Sequence, residues 1–180
     1  MAVSQLRSGI INNSVMEQET KNVSGVNLRP ARPEDMPFLK KVYAGTRPDI
    51  TMNPNFGKNE KKEFINMQFN LQNIHYRNHY SGARFLIISE GGRDTGRLYL
   101  HESKEDIRIM DIAILPAFRG RGTGSKIIRN LQSDASVAGK ALSIHVEENN
   151  PAKNLYHRLG FKEQGEKVNG VYQLMVWRPN

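Results

Sequence analysis

Residues able to do chemistry are densest at Arg119-Gly120-Arg121-Gly122-Thr123-Gly124. The apolar run Ile107–Leu115, closed by Pro116, precedes this hexapeptide and reads as a strand. Ser125–Gln132 follows and reads as a helix. A strand, a basic glycine turn and a helix start make an anion site. Glycines let the backbone approach a ligand closely. The unpaired N–H groups of the first helical turn, with the helix dipole behind them, favour negative charge. The expected ligand carries a phosphate or pyrophosphate. A P-loop is excluded, because Gly124 is followed by Ser125 and then Lys126 rather than by Lys and Ser/Thr. A dinucleotide fingerprint is excluded as well, because the glycines are spaced G-x-G-x-G far from the chain start. The bland alternative is a turn that starts a helix and holds no ligand.

Bulk properties narrow the field. A chain of 180 residues is expected to form one domain with a real core. Mean hydropathy is −0.60, and no apolar run approaches the roughly 20 residues that span a bilayer. Met1–Arg7 has no apolar core of a secretion signal, so a cytoplasmic location is expected. With no cysteine, disulfides, thiolate metal sites and a cysteine nucleophile are all excluded. No metal is expected. The net charge of +8 suits nucleic acid or a polyanionic cofactor. There is no long basic run and no basic–aromatic interleaving, so specific nucleic-acid binding is not expected.

The elements that would position the turn follow from periodicity. Residues 1–25 are polar and aperiodic and read as a flexible N-terminal extension, with 26–180 as the single domain. Val26–Ala31 reads as a first strand, at an edge because of Pro30. A helix follows Asp35 and ends near Gly45. Residues 46–57 read as a loop. The longest helix is expected over 58–79, with Phe64, Met67, Leu71 and Ile74 as its apolar face and Gln68, Gln72, His75 and His79 on a flanking stripe. Arg84–Ser89, Gly96–His101 and 107–115 form an antiparallel meander. The helix after Gly124 runs to about Val137. Strand 141–146 then makes a βαβ crossover with 107–115, so that pair is expected to be parallel. A helix capped by Asn149 or Asn150 ends at Gly160, and a hairpin closes the chain.

This order resembles the GNAT (GCN5-related N-acetyltransferase) superfamily. Arg119–Gly124 fits the family's [Q/R]-x-x-G-x-[G/A] acyl-CoA motif. Ile112–Pro116 fits the end of the strand before it. Asn149–Phe161 fits the N-x-x-A-x-x-L-Y-x-x-x-G-F segment after the next strand. The resemblance spans about residues 26–178. It implies an α/β (α+β) fold with a mixed, mostly antiparallel sheet of about seven strands, a parallel pair splayed at the acyl-CoA site, and about four helices on both faces.

The same resemblance implies acetyl-CoA as co-substrate. Pyrophosphate would rest on the turn through Arg119, Arg121, Gly122, Thr123, Gly124 and Ser125. Pantetheine would pair near Ile112 and Ile114, with Asn149 and Ala152 beside it. Tyr156 matches the tyrosine that protonates the leaving thiolate; its plain alternative is a core aromatic. Glu147 and Asp111 are candidate general bases, with His145 and His75 behind them, and each could equally be a solvated or salt-bridged side chain. Arg108 stands where some members carry a glutamate. The implied reaction moves acetyl from acetyl-CoA to a primary amine by direct attack in a ternary complex. The alternative is a non-catalytic acyl-CoA-binding module. A small-molecule amine is favoured over a protein as acceptor, and a homodimer is compatible with the family.

Overall fold

The computed structural model describes residues 20–179. Eight strands form one sheet in the order β1-β2-β3-β4-β5-β6-β8-β7. They are β1 (Lys21–Val23), β2 (Val26–Pro30), β3 (Arg84–Glu90), β4 (Arg93–Glu102), β5 (Asp106–Ile114), β6 (Ala141–Glu147), β7 (Lys162–Val168) and β8 (Tyr172–Trp177). Among the described residues, five α-helices accompany the sheet: α1 (Met36–Ala44), α2 (Pro48–Thr51), α3 (Lys58–His79), α4 (Thr123–Ala138) and α5 (Lys153–Arg158). The expected mixed, mostly antiparallel sheet is present, with β5 and β6 as its parallel pair. It has one strand and one helix more than the sequence suggests.

The extra strand is β1, inside the stretch read as a flexible extension. Residues 1–19 lie outside the described residues. Lys21–Val23 pair with Val26–Leu28, through a turn in which Ser24 and Gly25 both take positive φ. So β2 is not the edge. Pro30 is still tolerated, because β1 stops opposite Leu28 and asks no ladder bond of it. The second correction is α2, a single turn within the expected loop 46–57; its Ile50 reaches the core.

Two apolar layers sandwich the sheet. On one side α4 and α5 bury Ile127, Ile128, Leu131 and Tyr156 against Leu98, Leu100, Ile109, Leu142 and Ile144. On the other, α1 and α3 bury Leu39, Tyr43, Ile65 and Phe69 against Ile87 and Tyr99. α3 covers the predicted range, but its core contacts are Ile65 and Phe69. Met67, Leu71 and Ile74, expected inside, are 49–59% exposed.

The site is shaped by one irregularity in β5. Tyr99 pairs with Asp111 and Leu100 with Ile109, which leaves Met110 as a bulge. A bulge breaks strict alternation and bends the strand. Ile107 and Ile109 before it, and Ile112 and Ile114 after it, therefore pack on the same α4 side. Asp111 is sent to the opposite face. Pairing with β6 ends at the same point: Asp106–Ile109 match Ala141–Ile144, and beyond Ile144 β6 stays with β8 alone. The sheet splits into a wedge-shaped gap.

Opposite Ile114 on β4 lies Gly96. A Cβ there would run into the carbonyl oxygen of Ala113. Gly96→Ala should push β4 off the outer half of β5 and cost about 2–3 kcal/mol, as overpacking does. The denaturant midpoint measures this; an unchanged midpoint would mean that β4 and β5 separate without penalty.

Candidate active site

The gap leads directly to the glycine turn. Beyond Ile114 the chain makes a short 3₁₀ turn, Pro116–Phe118. Gly120 and Gly122 follow, both at positive φ with open space around them. Left-handed backbone at these two positions reverses the chain and starts α4 at Thr123, slightly earlier than predicted. The first helical bond runs from Lys126 N–H to Gly122 O, and no side chain caps the helix. The N–H groups of Thr123, Gly124 and Ser125 are the donors of that first turn.

The side chains around the turn are not all aimed at an anion. Thr123 is buried, and its hydroxyl donates to Glu90 Oε1 at 2.9 Å. Only its backbone N–H is left for a ligand. Arg119 Nε donates to Ile114 O at 2.8 Å and its Nη2 to Gly45 O at 2.9 Å, which ties the turn to the end of α1. Arg121 Nη2 donates to Ala117 O, and its guanidinium lies over the Phe118 ring. Both arginines remain exposed. Gly124 sits close to Ile114 and Leu155, and Ile112, Ile114, Ala152 and Leu155 are partly buried against the α4-side core.

Tyr156 comes from α5, which packs under the gap. Its ring is buried and meets Phe161 edge-on at 5.5 Å. Burial, and after it the Asp111 carboxylate, push its phenol above the usual tyrosine range. Asn150, not Asn149, organises the turn before α5, accepting from Ala152 N–H at 2.9 Å. Asn149 is left exposed beside it.

Glu147 and Asp111 occupy different surroundings. Glu147 ends β6, opposite Tyr172 of β8, and accepts from the Tyr172 hydroxyl at 3.2 Å. Burial and the Glu147 charge raise the Tyr172 pKa, with Arg47 acting against them. His145, on the same strand face as Glu147, is partly buried; burial and then Arg108 lower its pKa, which favours the neutral ring. His75 is exposed and stacks on His79 at 4.3 Å. The other half of that stripe does point inward: Gln68 accepts from Tyr43 and Gln72 from Arg97.

Asp111 is held by Arg97, a residue that sequence reasoning passed over. Arg97 is 1% exposed. Its Nη2 donates to Asp111 Oδ2 at 2.7 Å and to Gln72 Oε1 at 3.0 Å, and its Nε donates to Asp111 Oδ1 at 3.3 Å. Tyr99, Tyr43 and Phe69 surround the guanidinium, with ring centroids 5.1–5.9 Å from Cζ. Burial opposes its charge, but Asp111 more than compensates and the Arg97 pKa is raised. Both Asp111 oxygens are committed to this guanidinium. A charged residue amid Gly96, Leu98, Tyr99 and Leu100 was the one available signal. Nothing in the sequence marked Tyr172. Removing one partner of a buried pair leaves an uncompensated charge. Asp111→Ala should therefore cost about 3–5 kcal/mol of stability, read from urea unfolding. Unchanged stability with lost turnover would instead make Asp111 the base.

Among the described residues, no group of three His, Asp or Glu side chains is arranged to hold a metal ion. None of the described helices is long and apolar enough to cross a membrane. A cavity of about 820 Å³ lies elsewhere, between α1, α2 and α3.

Comparison with known proteins agrees with this geometry. Residues 81–163, from the start of β3 to the start of β7, match the acetyltransferase (GNAT) domain model. A Bacillus subtilis (strain 168) protein provisionally assigned as a ribosomal protein bS18-alanine N-acetyltransferase is 28% identical over 102 residues, 53% of this chain and 68% of that one. The PaiA N-acetyltransferase from Thermoplasma acidophilum, solved with coenzyme A, superposes with a TM-score of 0.62 at 14% identity, over 85% of this chain and 98% of that one. RimL, a ribosomal L7/L12 α-N-protein acetyltransferase also solved with coenzyme A, gives 0.62 at 17% identity, over 89% and 98%. The split strand pair and the glycine turn both lie within the stretch that matches the GNAT acetyltransferase domain model, and the fold of the chain is the one these acetyltransferases share.

Proposed function

We propose that this chain is an acetyl-CoA-dependent N-acetyltransferase that acts on a primary amine. The observation that carries the reading is the β5–β6 gap, which has an uncapped helix start at one end and the Tyr156 phenol beneath it. Residues 110–114 form the free flank of β5. Such an edge suits an extended amide-bearing arm, because unpaired backbone groups seek strand-like partners. The first-turn N–H groups of α4 suit a pyrophosphate. Acetyl-CoA supplies the activated acyl group as a thioester.

In this reading Glu147 takes a proton from the acceptor ammonium, directly or through water, and the Tyr172 hydroxyl positions its carboxylate. The freed amine attacks the acyl carbon, and a β5 N–H steadies the negative charge on the carbonyl oxygen. Tyr156 donates its proton to the departing thiolate, which leaves as CoA. The phenol stays protonated well beyond neutral pH, as a proton donor must. Asp111 serves as the counter-ion of Arg97 and not as a base. Asn149 and Ala152 stand beside the arm, and Arg119 and Arg121 flank the phosphates.

The sequence reading favoured a small-molecule acceptor over a protein. The partial relative and the RimL neighbour are both named for acetylating proteins, which supports a polypeptide N-terminal amine instead. A CoA-release assay with alanine-initiated peptides, their N-acetylated controls and small amines decides this. Free peptides should turn over and blocked ones should not. Turnover of small amines alone would overturn the protein acceptor but keep the chemistry. Binding of acetyl-CoA without turnover of any amine would favour the non-catalytic module.

Tyr156→Phe should lower kcat by about 10²–10⁴-fold, the usual share of general acid catalysis, with acetyl-CoA affinity by calorimetry nearly kept. With the phenol raised, wild-type kcat should hold through pH 10, near the ordinary tyrosine pKa. A fall in kcat centred there, absent in Tyr156→Phe, would mean that the phenol titrates normally.

A further inference from the structure

α3 carries two apolar faces, and the fold uses one. Ile65 and Phe69 face the sheet, with Gln72 and Tyr76 on the same side. At about 100° per residue, Met67, Leu71 and Ile74 point the opposite way, with Phe64, half-buried against the chain's own core and stacked on Phe56, at the edge of that stripe. Met67, Leu71 and Ile74 are 49%, 59% and 55% exposed. Contiguous exposed apolar surface of this kind marks an interaction site. The spacing is three, four, three: the a and d positions of a heptad, which seats another helix in knobs-into-holes packing. Phe69 then falls at f, opposite the seam, where a helix already docked on a sheet would place its core contact.

We propose that this stripe is a homodimer seam, in which α3 of one chain packs antiparallel on α3 of a second copy. Antiparallel a–d pairing sets Phe64 on Ile74 and Met67 on Leu71 of the partner chain by two-fold symmetry. The same register sets Glu60 on Asn78, so apolar layers meet apolar ones and the polar ends meet each other. Glu63, on the flank, comes alongside Arg77 of the other chain. A parallel, in-register pair would instead place Glu60 against Glu60 in a d layer, a like-charge contact that disfavours association, and would part Glu63 from Arg77. The seam lies on the back of the helix whose inner face holds Arg97 through Gln72 and the Met110 carbonyl through Tyr76. Dimerisation would brace the helix that roofs the acceptor side. This inference does not depend on the identity of the acceptor.

Sedimentation velocity of the full chain should show a dimer. Leu71→Glu should give a monomer that still unfolds in one cooperative urea transition, because the side chain faces solvent within the chain; its midpoint falls only by the stabilisation that association supplied. The absence of native cysteine makes orientation testable. Under mild oxidation, a mixture of Met67→Cys and Leu71→Cys chains of different mass should give mainly the mixed cross-link. A monomeric wild type, or a dimer that survives Leu71→Glu, overturns the seam. Dominant self-cross-links overturn the antiparallel register.

Discussion

One backbone event governs the architecture of this protein: the loss of the β5–β6 ladder after Ile109. Two parallel strands that stayed paired would leave no free edge and no room between them. The Met110 bulge ends the pairing and tilts the outer half of β5 away. β6 does not follow, because β8 holds it from Leu142 to Glu147. The gap is therefore a stable consequence of unequal commitments. β5 is anchored to β4 up to Ile114, and β6 is anchored to β8. Gly96 belongs to the same device, since only a residue without a side chain lets β4 keep contact with β5 beyond the bulge.

The bulge also decides which chemistry reaches the gap. Strict alternation from Ile109 would bury Asp111 on the α4 side among isoleucines, without a partner. The extra residue turns it toward Arg97. That guanidinium sits in an aromatic cage roofed by α1 and α3 and is neutralised by the carboxylate the bulge delivers. The pair joins β4, β5 and, through Gln72, the long helix. One Arg97 nitrogen, Nη1, still lacks a hydrogen-bond partner. The surrounding ring faces compensate part of that cost. α3, the Arg97 pair and the β5 bulge thus lie on one face of the sheet, and α4 and α5 on the other.

Much of this was legible in the residues because it is local. The glycine turn, the βαβ crossover, the meander and the 58–79 helix each have a short-range signature, and each is present. α3 shows where that legibility ends. Phe64, Met67, Leu71 and Ile74 recur at helical spacing and were expected to be core. Phe64 does pack on the core, but Ile65 and Phe69 took the role expected of Met67, Leu71 and Ile74, because a helix bearing two apolar stripes does not reveal which one meets its own sheet. β1 was read as disordered for the opposite reason. Three polar-flanked residues carry little β signal, and only pairing with β2 gives them a structure.

The candidate site divides along the same line. The sequence by itself determined the glycine turn, the tyrosine six residues after Asn150, and the strand–helix order that puts both near one cleft, since these depend on neighbours in the chain. Only the tertiary structure decided that Asp111 is paired with Arg97, that Glu147 lies beside Tyr172, that Thr123 offers its N–H but not its hydroxyl, and that Arg119 braces α1. These roles depend on partners that lie 14, 25, 33 and 74 residues away in the chain. No periodicity encodes which distant side chain will arrive opposite; that is decided when the sheet closes and the bulge sets the register.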